Sequence, residues 1–148
     1  MKLIEILNMK ESKYRTPVTI GLNDSIYQAI QKLIENDRGS LAVCNEKGEL
    51  KGIITERDIV RKYFTQSGQA IRVQVKNIMS TEVAVGYPED DLNYALDAMK
   101  KKRIRHLPII DKSKKVIGMM SMRDLLGIQL ETCETQVRFL SDYIQGRS

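Results

Sequence analysis

Two phrases in this chain of 148 residues place the same reactive groups at the same spacing. "GIITERD" occupies residues 52–58 and "GMMSMRD" residues 118–124. In each, a hydroxyl residue (Thr55, Ser121) precedes an aspartate (Asp58, Asp124) by three positions. A carboxylate can accept hydrogen bonds from both hydroxyls of a ribose, as the acidic residue of dinucleotide sites does. A hydroxyl at the start of a helix stands beside free backbone N–H groups and the positive end of the helix dipole, surroundings that favour phosphate. Gly52 and Gly118 allow ligand or backbone to come close. The same Ser/Thr-x-x-Asp spacing is also close to a capping box, in which both side chains only satisfy the helix's own N–H groups. For one isolated copy, capping is the better reading.

The elements that must position these residues are themselves repeated. Sliding the chain by 66 residues brings Asp24 onto Asp90, Ala29 onto Ala95, Leu41 onto Leu107, Gly52 onto Gly118, Arg57 onto Arg123 and Asp58 onto Asp124. Apolar positions match as well: Ile26 with Leu92, Ile30 with Leu96, Leu33 with Met99, Val43 with Ile109, Leu50 with Val116 and Ile59 with Leu125. No gap is needed from residue 16 to residue 126, so the chain reads as a two-fold internal repeat. Each unit opens with a short extended segment, "PVTIG" (17–21) or "VAVGY" (83–87). Asp24 and Asp90 then stand where helix N-caps belong, ahead of apolar residues at helical spacing. "SLAVC" (40–44) and "LKGII" (50–54) form a predicted hairpin around the polar turn "NEKGE", as "HLPII" (106–110) and "VIGMM" (116–120) do around "DKSKK". Thr55 or Ser121 opens a second helix. The unit is β-α-β-β-α and about 50 residues long, too small to bury a sufficient core alone and large enough when paired.

Composition sets the outer bounds. Hydrophobic residues are 42% and charged residues 29%, a globular balance. The formal charge of +5 favours anionic partners without choosing among nucleotides, nucleic acids and acidic proteins. With no Trp and two Phe, the chain lacks the clustered aromatics of a single-strand stacking platform. Its apolar runs are short, and "MKLIEILNMKESK" carries Glu5 and Glu11, so neither a membrane span nor a signal peptide is expected. Cys44 and Cys133 form no CxxC and no framework, and a reduced, cytoplasmic setting is expected. No nucleophile–base pair, metal-ligand cluster or Walker loop is present, so catalysis, a catalytic cofactor and a metal are not expected. The basic run "KKKRIR" (100–105) reads first as a solvated helix C-terminus, where cations oppose the dipole.

The two Gly-h-h-[ST]-x-x-Asp phrases, with "RIRHLPIID" (103–111), "VKNIMS" (75–80) and "LIEILN" (3–8), resemble a tandem pair of CBS domains, the Bateman module, over residues 1–126. The resemblance implies an α+β fold of two β-α-β-β-α domains related by a pseudo-two-fold axis, with facing sheets. It assigns residues 1–66 to the first domain with its lead-in, 67–80 to a linker, 81–127 to the second domain and 128–148 to a helical extension. It implies regulation by an adenosine-containing ligand held between the domains: AMP, ADP, ATP, NAD or an S-adenosyl compound.

Within such a repeat, two clamps in register outweigh the capping reading. Asp58 and Asp124 become the ribose ligands, and Thr55 and Ser121 phosphate ligands. Basic residues at Arg105 and His106 reach phosphates in the family, and Arg123 joins them. The adenine slot carries over by position to Thr16, Pro17, Val18, Ile53, Ile54, Glu82, Val83, Ala84, Met119 and Met120, although core packing is the better expectation for the two methionines. Gly39 and Ser40 fall on Arg105 and His106, so the two sites are expected to be unequal, with the Asp124 site the better phosphate binder.

Beyond the second unit, Leu126, Leu130, Cys133, Val137, Leu140 and Ile144 step by four and three along one further helix, closed by Gly146. CBS pairs commonly dimerise, and a homodimer partly sealed by this helix is expected, with an unidentified regulated protein as reader. Two alternatives stand beside the nucleotide sensor. One is an interaction or dimerisation module with vestigial sites. The other is nucleic-acid binding through the basic face, which would weaken steeply with salt.

Overall fold

The computed structural model describes residues 1–9, 17–65 and 72–145, without the side chains of 63–65. In chain order the elements are α1 (Leu3–Leu7), β1 (Thr19–Gly21), α2 (Ile26–Glu35), β2 (Ser40–Cys44), β3 (Leu50–Thr55), α3 (Glu56–Thr65), a 3-10 turn (Val75–Asn77), α4 (Leu92–Lys102), β4 (His106–Ile110), β5 (Val116–Ser121) and α5 (Met122–Ile144).

Apolar residues at Ile26, Ala29 and Leu33 give α2 one buried stripe, and Leu92, Ala95 and Met99 do the same for α4. The caps lie one residue beyond the expected aspartates. Ser25 accepts the Gln28 N–H at 3.1 Å, and Asp91 accepts the Asn93 N–H at 2.9 Å. Asp24 and Asp90 instead reach back into the preceding turn, accepting the Gly21 and Tyr87 N–H groups at 2.8 Å each. An Asp side chain that closes the turn before a helix leaves the next residue to cap it.

β1 pairs parallel to β2, and β2 antiparallel to β3. In the second unit β4 and β5 form the same hairpin, and the first strand shrinks to a single parallel bridge from Gly86 to Ile109. The backbone repeats at the same interval of 66 as the sequence. Positive φ occurs at Asp37 (50°) and Arg103 (54°), and at Gly48 (81°) and Lys114 (65°).

Each unit has its own apolar core. Ile20, Ile26, Leu41, Val43 and Ile54 centre the first; Leu92, Met99, Leu107, Ile109, Met120 and Leu125 centre the second. The lead-in segments are exchanged between them. α1, expected ahead of the first unit, buries Leu3, Ile6 and Leu7 in the second core. The Leu3 and Ile4 N–H groups donate to the carbonyls of Asp90 and Pro88 at 2.9 Å each. Residues 73–79, expected to be linker, complete the first core with Val73, Val75, Ile78 and Met79. The Val75 N–H donates to the Asp24 carbonyl at 2.8 Å.

Strand alternation supplies the contact between units. Leu41 and Val43 face the first core, while Ala42 and Cys44 turn to the other sheet and pack with Met119, Ile53 and Val116. The hairpin tips join through the Leu50 N–H and the Lys114 carbonyl at 3.0 Å. Burial pushes the Cys44 thiol up, which keeps it protonated and unreactive.

α5 continues well past its own unit. Ser121 caps it, and Leu125 anchors it in the second core. At 23 residues it is roughly 35 Å long. The Gln129 side-chain amide donates to Asn93 at 2.7 Å. From Leu130 to Ser141 every residue is exposed. The expected cap Gly146 lies outside the described residues.

Candidate functional site

Both clamp phrases lie at the junction of a strand with a helix. In the first unit Asp58 accepts the Thr55 N–H at 3.0 Å, and the Asp58 N–H donates to Thr55 Oγ1 at 3.2 Å. In the second, the Asp124 N–H donates to Ser121 Oγ at 3.1 Å, and that hydroxyl donates to the Asp124 carboxylate at 2.6 Å. The capping role is therefore real in both copies. All four side chains also line one cleft between the units, of about 1220 Å³.

The same cleft is lined by Arg105, His106 and Arg123 of the phosphate set, and by Ile53, Glu82, Val83, Ala84 and Met119 of the adenine set. Four other expected adenine residues do not line it. Ile54 and Met120 are fully buried, each in its own core, because strand alternation points them away from the facing sheet. Pro17 is not part of the cleft wall, and Val18 packs against the first core. Thr16 lies outside the described residues.

Several cleft residues carry no motif that marks them in the sequence: Asp37, Glu56, Arg57, Ser80 and Arg103. Arg57 is legible through the repeat, because it falls on Arg123. Arg103 is hidden inside the basic run, where a helix C-terminus explains a cation well. Its left-handed backbone turns the chain out of α4 toward the cleft. Five arginines (38, 57, 103, 105 and 123) face five carboxylates (37, 56, 58, 82 and 124) along the walls. The distribution is uneven. The second unit presents Arg103, Arg105 and Arg123 with Glu82 and Asp124, whereas the first presents Arg38 and Arg57 with Asp37, Glu56 and Asp58.

Gly52 makes room for backbone rather than for ligand. A Cβ there would come within 2.7 Å of the Ser80 carbonyl oxygen and 2.6 Å of Met79 Sδ. The Ile53 and Ser80 backbones exchange hydrogen bonds beside it at 3.0 and 2.9 Å.

His106 spans the boundary between units: a Cβ on Gly39 would lie 3.5 Å from its Nε2. Burial and then the Arg105 charge hold its pKa below the usual value, while Glu56 and Asp124 pull the other way. A depressed folded pKa means that protonation favours the unfolded chain. The stability owed to neutral His106 is therefore full above the unfolded value of about 6.5 and is lost as pH falls below that value and through the lower folded one. An anion bound at the ring would raise the pKa again, so binding should tighten from pH 8 to pH 6. His106 is the sole histidine, so a proton NMR titration reads a single ring signal. A midpoint at or above 6.5 in the ligand-free protein would contradict this assignment.

The CBS-domain family model matches residues 12–65 and 75–131. The chain belongs to the CBS-domain family. Each matched stretch spans one β-α-β-β-α unit, so the protein is a CBS pair. Among curated relatives, the mitochondrial CBS domain-containing protein CBSX3 of Arabidopsis thaliana is 34% identical over 128 residues, covering 84% of this chain and 62% of that protein. An uncharacterised protein of Methanopyrus kandleri is 34% identical over 123 residues, covering 83% of this chain and 63% of its own length. The chain thus spans just over three-fifths of both relatives. Among solved structures, the CBS pair of protein MJ0100 in complex with 5′-methylthioadenosine and S-adenosyl-L-methionine superposes with a TM-score of 0.75 at 25% identity, covering 89% of this chain and 98% of that one. Among the described residues, no helix of this CBS pair is long and apolar enough to cross a membrane.

Proposed function

We propose that this CBS pair is a regulatory sensor of an adenine nucleotide, with AMP, ADP or ATP favoured and NAD next. The observation that carries this reading is the placement of two hydroxyl–aspartate clamps, Thr55 with Asp58 and Ser121 with Asp124, in one cleft among arginines. Each carboxylate is held by its own helix start, so it is oriented before a ribose arrives. The adenosine compounds in the MJ0100 CBS pair support the ligand class.

The uneven walls favour phosphate at the Asp124 side, where Arg103, Arg105 and Arg123 offer planar donor forks. The Asp58 side suits a less charged ligand or a weaker one. Ligand acts by binding one arrangement of the units better than another, and a partner protein reads the result. The protein works as a cytoplasmic homodimer and regulates rather than catalyses.

Thermal unfolding against AMP, ADP, ATP, NAD and S-adenosylmethionine, with guanosine nucleotides as controls, tests the reading. At about 100 times the dissociation constant, a ligand of the folded state adds roughly 2.7 kcal/mol. For a chain of this size that is a rise of roughly 5–10 °C. The rise should appear with an adenosine ligand and vanish in Asp124→Ala. No rise with any ligand, in protein whose denatured supernatant shows no adenine absorbance, would overturn the sensor reading and favour vestigial sites.

A further inference from the structure

A second cavity, of about 290 Å³, adjoins the ligand cleft at Asp58, which lines both spaces. Arg61 and Lys62 of α3 line the smaller one, together with Asn77 and Ile78 from the 3-10 turn and its exit. Residues three and four apart share one face of a helix. Both cations therefore stand on the Asp58 face, about one turn (roughly 5 Å) further from the helix start.

The repeat shows that this feature belongs to one clamp alone. Sixty-six residues on, Arg61 falls on Gly127 and Lys62 on Ile128. Ile128 packs against the second core. The lead-in turn has its counterpart in α1: the Val75 N–H donates to the Asp24 carbonyl as the Leu3 N–H does to that of Asp90. Likewise the Lys76 N–H donates to the Leu22 carbonyl as the Ile4 N–H does to that of Pro88. Asn77 thus stands where the second unit has Glu5, whose carboxylate accepts the Lys2 N–H at 2.6 Å. Two cations and an amide in the first unit answer to a glycine, an isoleucine and an acid in the second. At the helix start the contrast runs the other way. Glu56 follows Thr55 in the cleft wall, whereas the uncharged Met122 follows Ser121.

We propose that the second cavity is a subsite for a phosphate carried on the 2′ or 3′ oxygen of the ribose that Asp58 holds. The proposal rests on the ribose role given to Asp58 above and adds the chemistry of that site's ligand. The ribose oxygens that meet Asp58 are the 2′ and 3′ oxygens, so a group carried on either leaves the sugar where the second cavity opens. With one oxygen phosphorylated, the other hydroxyl still donates to Asp58. An arginine near the ribose acid is how dinucleotide sites accept a 2′-phosphate. Arg61 supplies a planar donor fork, Lys62 a compact charge and Asn77 two amide N–H donors. Glu56 opposes a phosphate at the 5′ end of the same ligand. The two clamps therefore sort nucleotides by where the phosphate sits: 5′ at Asp124, and 2′ or 3′ at Asp58.

Titration calorimetry on the full chain with adenosine 2′-, 3′- and 5′-monophosphate, and with inorganic phosphate as control, tests this. The 2′- or the 3′-monophosphate should bind to protein already saturated with the 5′-monophosphate. The double variant Arg61→Gln, Lys62→Gln should weaken that second binding at least about tenfold, as expected for lost hydrogen bonds to a charged group. Asp124→Ala should weaken the 5′-monophosphate instead. Ligand-free melting of both variants, at that of the parent chain, confirms that each is folded. If the 5′-monophosphate binds at Asp124 but the 2′- and 3′-monophosphates do not bind, compete with it, or ignore the double variant, the subsite is overturned and the sensor reading stands. Inorganic phosphate binding as tightly as the nucleotides would reduce the cavity to an anion hole and overturn the subsite as well. If no nucleotide binds at all, the sensor reading falls and the subsite falls with it.

Discussion

Leu3→Ala is expected to lower the stability of the whole chain by about 3 kcal/mol, the cost of a cavity at a fully buried leucine. With roughly 2–4 °C per kcal/mol, the melting temperature should fall by about 6–12 °C. Leu3 sits in the second core beside Gly86, where a Cβ would lie 3.0 Å from its Cδ1. Its helix has only five residues, so it has little stability of its own and persists through this packing. Ile34→Ala, at a residue 75% exposed on α2, is the control and should change stability by less than about 0.5 kcal/mol. Thermal and urea unfolding followed by circular dichroism make the comparison. If the two variants lose equally little, α1 does not belong to the second core.

Gly52→Ala should cost about 2–3 kcal/mol, at the upper end for one added methyl group. Of its two close neighbours, Met79 Sδ can move, but the Ser80 carbonyl oxygen is fixed by the paired hydrogen bonds to Ile53. Relief would require parting the segment 79–80 from β3, and Ser80 helps to wall the cleft. The variant should therefore lose ligand affinity along with stability. Gly127→Ala gives the opposite sign. A methyl group added there would meet nothing within 4 Å, and the residue sits inside α5, where alanine is favoured over glycine by roughly 1 kcal/mol. Differential scanning calorimetry on both variants decides the matter. A neutral Gly52→Ala would show that 79–80 is not held against the strand.

Much of this is legible in the sequence because it depends on local pattern. The 66-residue echo marks the hairpin of each unit, the helix stripes and the clamps at the starts of α3 and α5. What escapes depends on contacts between segments far apart in the chain. Strand periodicity predicts that neighbours such as Ile53 and Ile54 face opposite sides, but not which side meets the other unit. The destination of α1 is equally hidden, since "LIEILN" has an apolar face that would suit either core. The caps fall one residue from their expected places because Asp24 and Ser25 are both good capping residues, and only the turn at Gly21 decides between them. Arg103 goes unmarked because it lies in a run of cations with a sufficient local explanation. Its place in the cleft follows from the left-handed exit of α4, which is a backbone property with no distinctive side chain to announce it.

The exchanged lead-ins bear on the order in which the chain can fold. Domains usually fold as units during synthesis, the N-terminal one first, at about 5–20 residues per second. Here the first core lacks Val73, Val75, Ile78 and Met79 until the ribosome has passed them, and Leu3, Ile6 and Leu7 wait for partners as distant as Leu125. Through that interval the nascent chain carries an apolar segment whose docking partners have not yet been made. The two sequence repeats are thus not two folding units, and a ribosome stalled at the midpoint would display a first half whose core cannot close.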